Sequence, residues 1–178
     1  MPYTLAQLSD LEEIKLVKHR YFRGIDTADG ALLETLFTDD VEVCYLGGGY
    51  RVDVRGRANM LEFIANSFNS DALAMHHPHG PEITFTGPDS ADGIWYLEDL
   101  FINLERRTHT YGSALYRDRY VREGGVWRIA VTHYERVIEV VEPLRQGAEY
   151  TYHLLASRGR PREERKDISH LISWTGEG

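Results

Sequence analysis

Asp71 divides the chain into two halves whose apolar residues follow different periods. Before it, apolar residues recur every three or four positions. After it, they alternate every second position. The first spacing lines one face of a helix and the second one face of a strand. A chain with helices first and a run of strands after them predicts an α+β fold, with helices packed against one concave face of a curved, mostly antiparallel sheet.

In the first half, Ser9 and Glu12 have capping-box spacing, so a helix is expected to begin there. Leu11, Ile14, Val17, Tyr21 and Ile25 form its apolar stripe, and it is expected to end between Asp26 and Gly30. A short second helix buries Leu32, Leu33, Leu36 and Phe37. Val41 to Leu46 reads as a strand closed by Gly47-Gly48-Gly49, and a third helix runs from about Arg57 to Phe68. In the second half, Ile83 to Thr86, Gly93 to Glu105, Thr110 to Arg122 and Val126 to Val141 read as strands with turn residues between them. No linker precedes residue 143. The expected organisation is one domain over 1–143 and an extension over 144–178, acting as a lid or an oligomer contact.

With 42% hydrophobic and 27% charged residues, the composition is that of a globular chain. No apolar run approaches the roughly 20 residues of a membrane helix, so no membrane partner is expected. Met1 to Glu13 has no export-signal pattern, and Cys44 is the only cysteine, which together predict a cytoplasmic protein. A net charge of −8 argues against a nucleic-acid partner. The basic residues Arg158, Arg160, Arg162, Arg165 and Lys166 are interrupted by acids and read as a solvated tail or a subunit contact.

Several residues carry possible chemistry. Alternation puts Asp99 on one face with Trp95, Leu97 and Phe101, where a carboxylate needs a partner. A salt bridge to an arginine or a functional role would each supply one. Met75-His76-His77-Pro78-His79 stands just ahead of an expected strand. Three histidines could suit zinc or iron, but such sites usually need a matching ligand set elsewhere, and Pro78 is expected to break the alternation that would aim His77 and His79 together. No metal is therefore expected, and one histidine is expected to be catalytic, with the other two capping or solvent-facing; Gly47-Gly48-Gly49 lacks the context of a phosphate-cradling loop, so no nucleotide cofactor is expected either. Tyr21 lies on the first helix's stripe, with Asp26 just beyond. Tyr45 shares a strand face with Val41 and Val43, and Arg136 shares one with Thr132, Tyr134 and Ile138.

Three segments, Arg20 to Asp26, Met75 to Thr84, and Trp95-Tyr96-Leu97-Glu98-Asp99, resemble the SnoaL-like family of the nuclear transport factor 2-like superfamily. Within it the nearest likeness is to the bile acid 7α-dehydratases. Scytalone dehydratases and hexachlorocyclohexane dehydrochlorinases are more distant. The resemblance spans roughly residues 8 to 140. It implies a cone-shaped (cystatin-like) fold and a cofactor-independent dehydratase acting on a hydrophobic cyclic or polycyclic hydroxy-carbonyl compound. It also implies a homo-oligomer, with a trimer favoured over a dimer. Tyr21, Asp26, His76 and Asp99 would be catalytic, and Tyr45 and Arg136 would line the pocket. His79, Trp95, Phe101 and Tyr134 are added as substrate contacts. His76 is the expected acid/base, with Asp26 or Asp99 holding its second nitrogen. An isomerase or cyclase, a small subunit of a ring-hydroxylating oxygenase, and a ligand-binding module are the alternatives.

Overall fold

The computed structural model describes residues 3–174; residues 1–2 and 175–178, the outer ends of the expected domain and extension, lie outside the described residues. Helix α1 (Leu5–Asp26) is followed by the short α2 (Gly30–Glu34), strands β1 (Phe37–Leu46) and β2 (Tyr50–Arg55), and helix α3 (Arg57–Ser67). Four long strands follow: β3 (Ala72–Gly87), β4 (Ser90–Asn103), β5 (Thr108–Glu123) and β6 (Val126–Pro143). A short helix α4 (Leu155–Arg158), two helical turns and β7 (Ile172–Trp174) complete the described chain.

The strands form a single sheet in the order β3-β4-β5-β6-β1-β2-β7. Every pairing is antiparallel except β1 with β6. The sheet curls around α1 and α3, and the core between them includes Ile14, Phe22, Met60, Trp95, Tyr116 and Ile129.

Helix α1 begins earlier than its spacing suggested. Thr4 caps it, accepting from the Gln7 amide at 3.2 Å while the Gln7 side chain accepts from the Thr4 amide at 3.0 Å. Ser9 and Glu12 therefore lie inside the helix. Once nucleated, a helix gains one backbone bond per added residue, so the outermost competent cap prevails.

The histidine run also differs from expectation, because it lies within β3. β3 is an edge strand, so the missing N–H of Pro78 interrupts no ladder on the open side. Alternation passes through the proline undisturbed: Met75, His77 and His79 are exposed, while His76 turns inward. The irregularity falls later, at Gly80 and Pro81, where the register with β4 shifts and Gly80 has φ +49°.

A second bulge shapes the site. The register between β5 and β6 shifts so that Ser113 faces Ile138 while Ala114 faces Arg136, leaving Val137 as the extra residue. A bulge re-aims the side chains on either side of it. Arg136 and Glu139, three apart, consequently turn to the same side, whereas Ile138, expected beside Arg136, is exposed on the outer face. Gly112 permits this, because a Cβ there would collide with the Ile138 carbonyl oxygen.

The basic residues near the C-terminus form neither a free tail nor, in this chain, an unpaired patch. Arg160 and Lys166 pair with Glu62, and Arg165 pairs with Asp71 at 2.6 Å and Glu105 at 3.2 Å. Leu155 is buried, Ile168 and Leu171 pack on the core, and β7 extends the sheet beside β2. Among the described residues no helix is long and apolar enough to cross a membrane.

The core also encloses two charges. Lys18 Nζ lies 2.7 Å from Asp118 Oδ2, with both side chains wholly buried. Burial lowers the Lys18 pKa from 10.5 to about 8, against the opposing pull of Asp118. Above pH 8 the folded chain releases this proton while the unfolded chain keeps it, so this term makes stability rise with pH. Urea unfolding should therefore show wild type gaining on Lys18→Met from pH 8 to pH 10. Gly112→Ala should cost about 1–3 kcal/mol in the same assay, because backbone rather than a flexible side chain blocks the added methyl.

Candidate functional site

His76 faces inward from β3, directly across from Asp99 on β4. The carboxylate that meets its ring is Asp26, the last residue of α1. Asp26 Oδ1 lies 2.6 Å from His76 Nδ1, and Oδ2 accepts the His76 backbone N–H at 3.0 Å. An edge strand leaves outward amides without a partner strand, and Asp26 satisfies one of them while gripping the imidazole. With Nδ1 donating to the carboxylate, Nε2 is left as the basic nitrogen.

Two aromatic rings pack against the imidazole. Phe22 stacks on it, with centroids 5.5 Å apart and planes 20° apart. Phe68 meets it edge-on at 5.4 Å and also meets Phe101 at 5.7 Å. The His76 side chain is only 8% exposed, so its surroundings are largely water-free.

Asp99 has a different partner. Both its oxygens face the Arg136 guanidinium, the Nη2–Oδ2 distance being 2.8 Å. The bulge brings in Glu139, whose Oε2 accepts from Arg136 Nε at 3.0 Å and whose Oε1 accepts the Gly48 amide at 2.9 Å. Burial disfavours the Arg136 charge, but Asp99 outweighs burial and holds the guanidinium firmly protonated. The salt bridge to an arginine foreseen for Asp99 is therefore present, and it lies within the site.

Tyrosines form the inner wall. The hydroxyls of Tyr21 and Tyr45 are 2.7 Å apart, and those of Tyr50 and Tyr134 are also paired. Burial raises the pKa of Tyr21, Tyr45 and Tyr134 well above the ordinary phenol range, and neighbouring tyrosines add to the shift. All three are neutral hydroxyls near neutral pH, suited to donating hydrogen bonds and unsuited to acting as bases.

The structure thus gathers Tyr21, Asp26, Tyr45, His76, Asp99, Phe101, Tyr134 and Arg136 on the concave side. Two expected substrate contacts lie elsewhere. His79 projects from the outer face, more than half exposed, 3.6 Å from Glu98. Trp95 is fully buried and donates to the Tyr120 hydroxyl at 2.9 Å, which makes it a core residue. Sequence reasoning passed over Phe22, Tyr50, Phe68 and Glu139. Phe22, beside Tyr21 on the helix stripe, was findable; Glu139 was hidden by the bulge.

Two cavities adjoin the cluster. One of about 270 Å³ is walled by Asp26, Leu73, Ala74, Leu100 and the segment 152–155. The other, about 460 Å³, lies between α2, α3 and the segment 158–161, with Ile25 and Phe68 in its wall. Among the described residues no three His, Cys, Asp or Glu side chains group as metal ligands.

Known folds place this architecture. Hexachlorocyclohexane dehydrochlorinase LinA type 2 superposes with a TM-score of 0.71 at 21% identity, over 83% of this chain and 97% of that one. LinA type 3 of Novosphingobium barchaimii gives 0.69 at 21%, over 83% and 98%. A provisionally named scytalone dehydratase of Novosphingobium aromaticivorans gives 0.65 at 20%, over 81% and 97%. At these identities the likeness is one of fold. The profile of the SnoaL-like domain matches residues 6–133, well over half of the sequence, and the chain belongs to the SnoaL-like family of the nuclear transport factor 2-like superfamily.

Proposed function

We propose that this protein is a cofactor-independent lyase that eliminates water, or a comparable leaving group, from a hydrophobic ring-bearing hydroxy-carbonyl compound. The observation that carries this reading is the two-pronged grip of Asp26 on His76. It leaves one basic nitrogen, of fixed tautomer, in an aromatic enclosure.

In the proposed reaction, His76 Nε2 removes a proton from the carbon beside the substrate carbonyl. Negative charge moves onto the carbonyl oxygen, where a neutral tyrosine hydroxyl, Tyr21 or Tyr45, donates to it. Asp26 stabilises the resulting imidazolium. The enolate then collapses, the β-carbon–oxygen bond breaks, and the imidazolium returns its proton to the departing hydroxide. Alkene and water are the products, and the side chain ends as it began. The Arg136 group, held by Asp99 and Glu139, would orient the polar end of the substrate.

Similarity to dehydratases and dehydrochlorinases supports this class of reaction. A steroid-like skeleton is the first substrate to try, given the sequence likeness to bile acid 7α-dehydratases. The described part of the extension, residues 144–174, is read as a cover for the site, because Tyr152 to Leu155 wall the cavity that reaches Asp26. Assembly into a homo-oligomer, with a trimer first in line, would use the outer face, where Met75, Ile94, Tyr96 and Tyr111 are exposed.

A panel of cyclic hydroxy-ketones, followed by mass spectrometry, tests the reaction through loss of one water. Rearranged product of unchanged mass would instead identify an isomerase. On a turned-over substrate, His76→Ala should lower kcat by on the order of 10²–10⁴-fold with an unaltered circular dichroism spectrum. Wild-type rates in that variant would refute the mechanism.

A further inference from the structure

The Lys18–Asp118 pair is unusual for its place rather than its strength. Two charges lie wholly inside an apolar core, although a well-packed apolar pair is commonly as stable as a buried ion pair or more so. Stability alone therefore gives no reason for the pair. Its surroundings supply one.

Lys18, Tyr21 and Phe22 stand at i, i+3 and i+4 on α1 and share one face. The Lys18 ammonium lies 3.5 Å from the ring centroid of Tyr116, 5.0 Å from that of Tyr21 and 5.2 Å from that of Phe22. A cation attracts the faces of aromatic rings, so it constrains their orientation as well as their contact. Asp118 anchors the cation and is itself held by the Tyr120 hydroxyl at 2.7 Å, which in turn accepts from Trp95 Nε1.

Two of the rings lead into the site. Tyr21 reaches Tyr45, and Phe22 stacks almost parallel on His76. The Cβ–Cγ bond and the hydrogen bond to Nδ1 hold the imidazole at two points, but a hydrogen bond tolerates bending and lets the ring rock about Cβ–Cγ. The stacked Phe22 ring closes that freedom. We propose that the buried Lys18–Asp118 pair is a positioning element for the His76 imidazole, acting through Phe22 to set the plane of the ring and the aim of its free nitrogen. The inference concerns the geometry of the ring and is independent of the reaction the site performs.

The test needs no substrate. Lys18→Met/Asp118→Leu replaces the pair with apolar side chains. Its His76 Nδ1–H proton, the hydrogen-bonded imidazole resonance far downfield in ¹H NMR, should broaden and exchange with solvent roughly tenfold faster, as expected for a more often opened hydrogen bond. Phe22→Leu, which retains both charges, should produce the same change. Should the double variant fail to fold, Phe22→Leu and Asp118→Asn decide the matter, each expected to accelerate exchange. Wild-type exchange and line shape in a folded double variant, or in Phe22→Leu, would overturn the proposal.

Discussion

One carboxylate joins the two halves of this molecule. Asp26 ends the helix that begins the chain, and His76 stands fifty residues later in the first long strand. The two oxygens of Asp26 take both the backbone amide and the ring nitrogen of His76. Helix and sheet meet at this point, and the site exists because they do. A neutral partner at position 26 could satisfy the amide, but it could not fix the tautomer and stabilise a positive imidazole together. The contact is therefore structural and chemical at once, and the surrounding features serve it.

Around this contact the charges are arranged in separate compartments. Asp26 faces the imidazole, Asp99 and Glu139 share Arg136, and Asp118 answers Lys18 deeper inside. Each acid near the site has a cation or an imidazole beside it, and the phenols between them remain neutral. Pairing of this kind lets several ionisable groups share a small volume without leaving a buried charge uncompensated. It also distinguishes two carboxylates that look equivalent in sequence. Asp99 lies opposite His76 in the ladder, yet its oxygens turn to Arg136, which leaves Asp26 as the imidazole's partner.

Much of this was legible before any coordinates. The change of period at Asp71 predicted the class of fold, and alternation put Asp99 among Trp95, Leu97 and Phe101, as found. What escaped notice has physical causes. β2, with Val52 and Val54 inward, and the three-residue β7 are short and lie beside glycines or helical turns. The bulge at Val137 reverses the alternation within a single residue, so no periodic rule could bring Glu139 to Arg136 or remove Ile138 from it. Lys18 sat on the apolar stripe in plain view, between Val17 and Tyr21, and a charge at a core position was the available signal. His79, named as a substrate contact, faces outward because Pro78, at the sheet's edge, leaves the alternation of the strand regular.

The final strand carries a consequence for how such molecules could meet. β7 spans only Ile172–Trp174 and closes one margin of the sheet, while the opposite margin is β3, kinked at Gly80-Pro81 and occupied at His76 by the carboxylate of a helix. Neither margin offers a long, straight ladder of vacant amides to another chain. Growth of the sheet from molecule to molecule, the route by which exposed strands seed fibres, is thereby discouraged at both ends, and association is left to the broad outer surface.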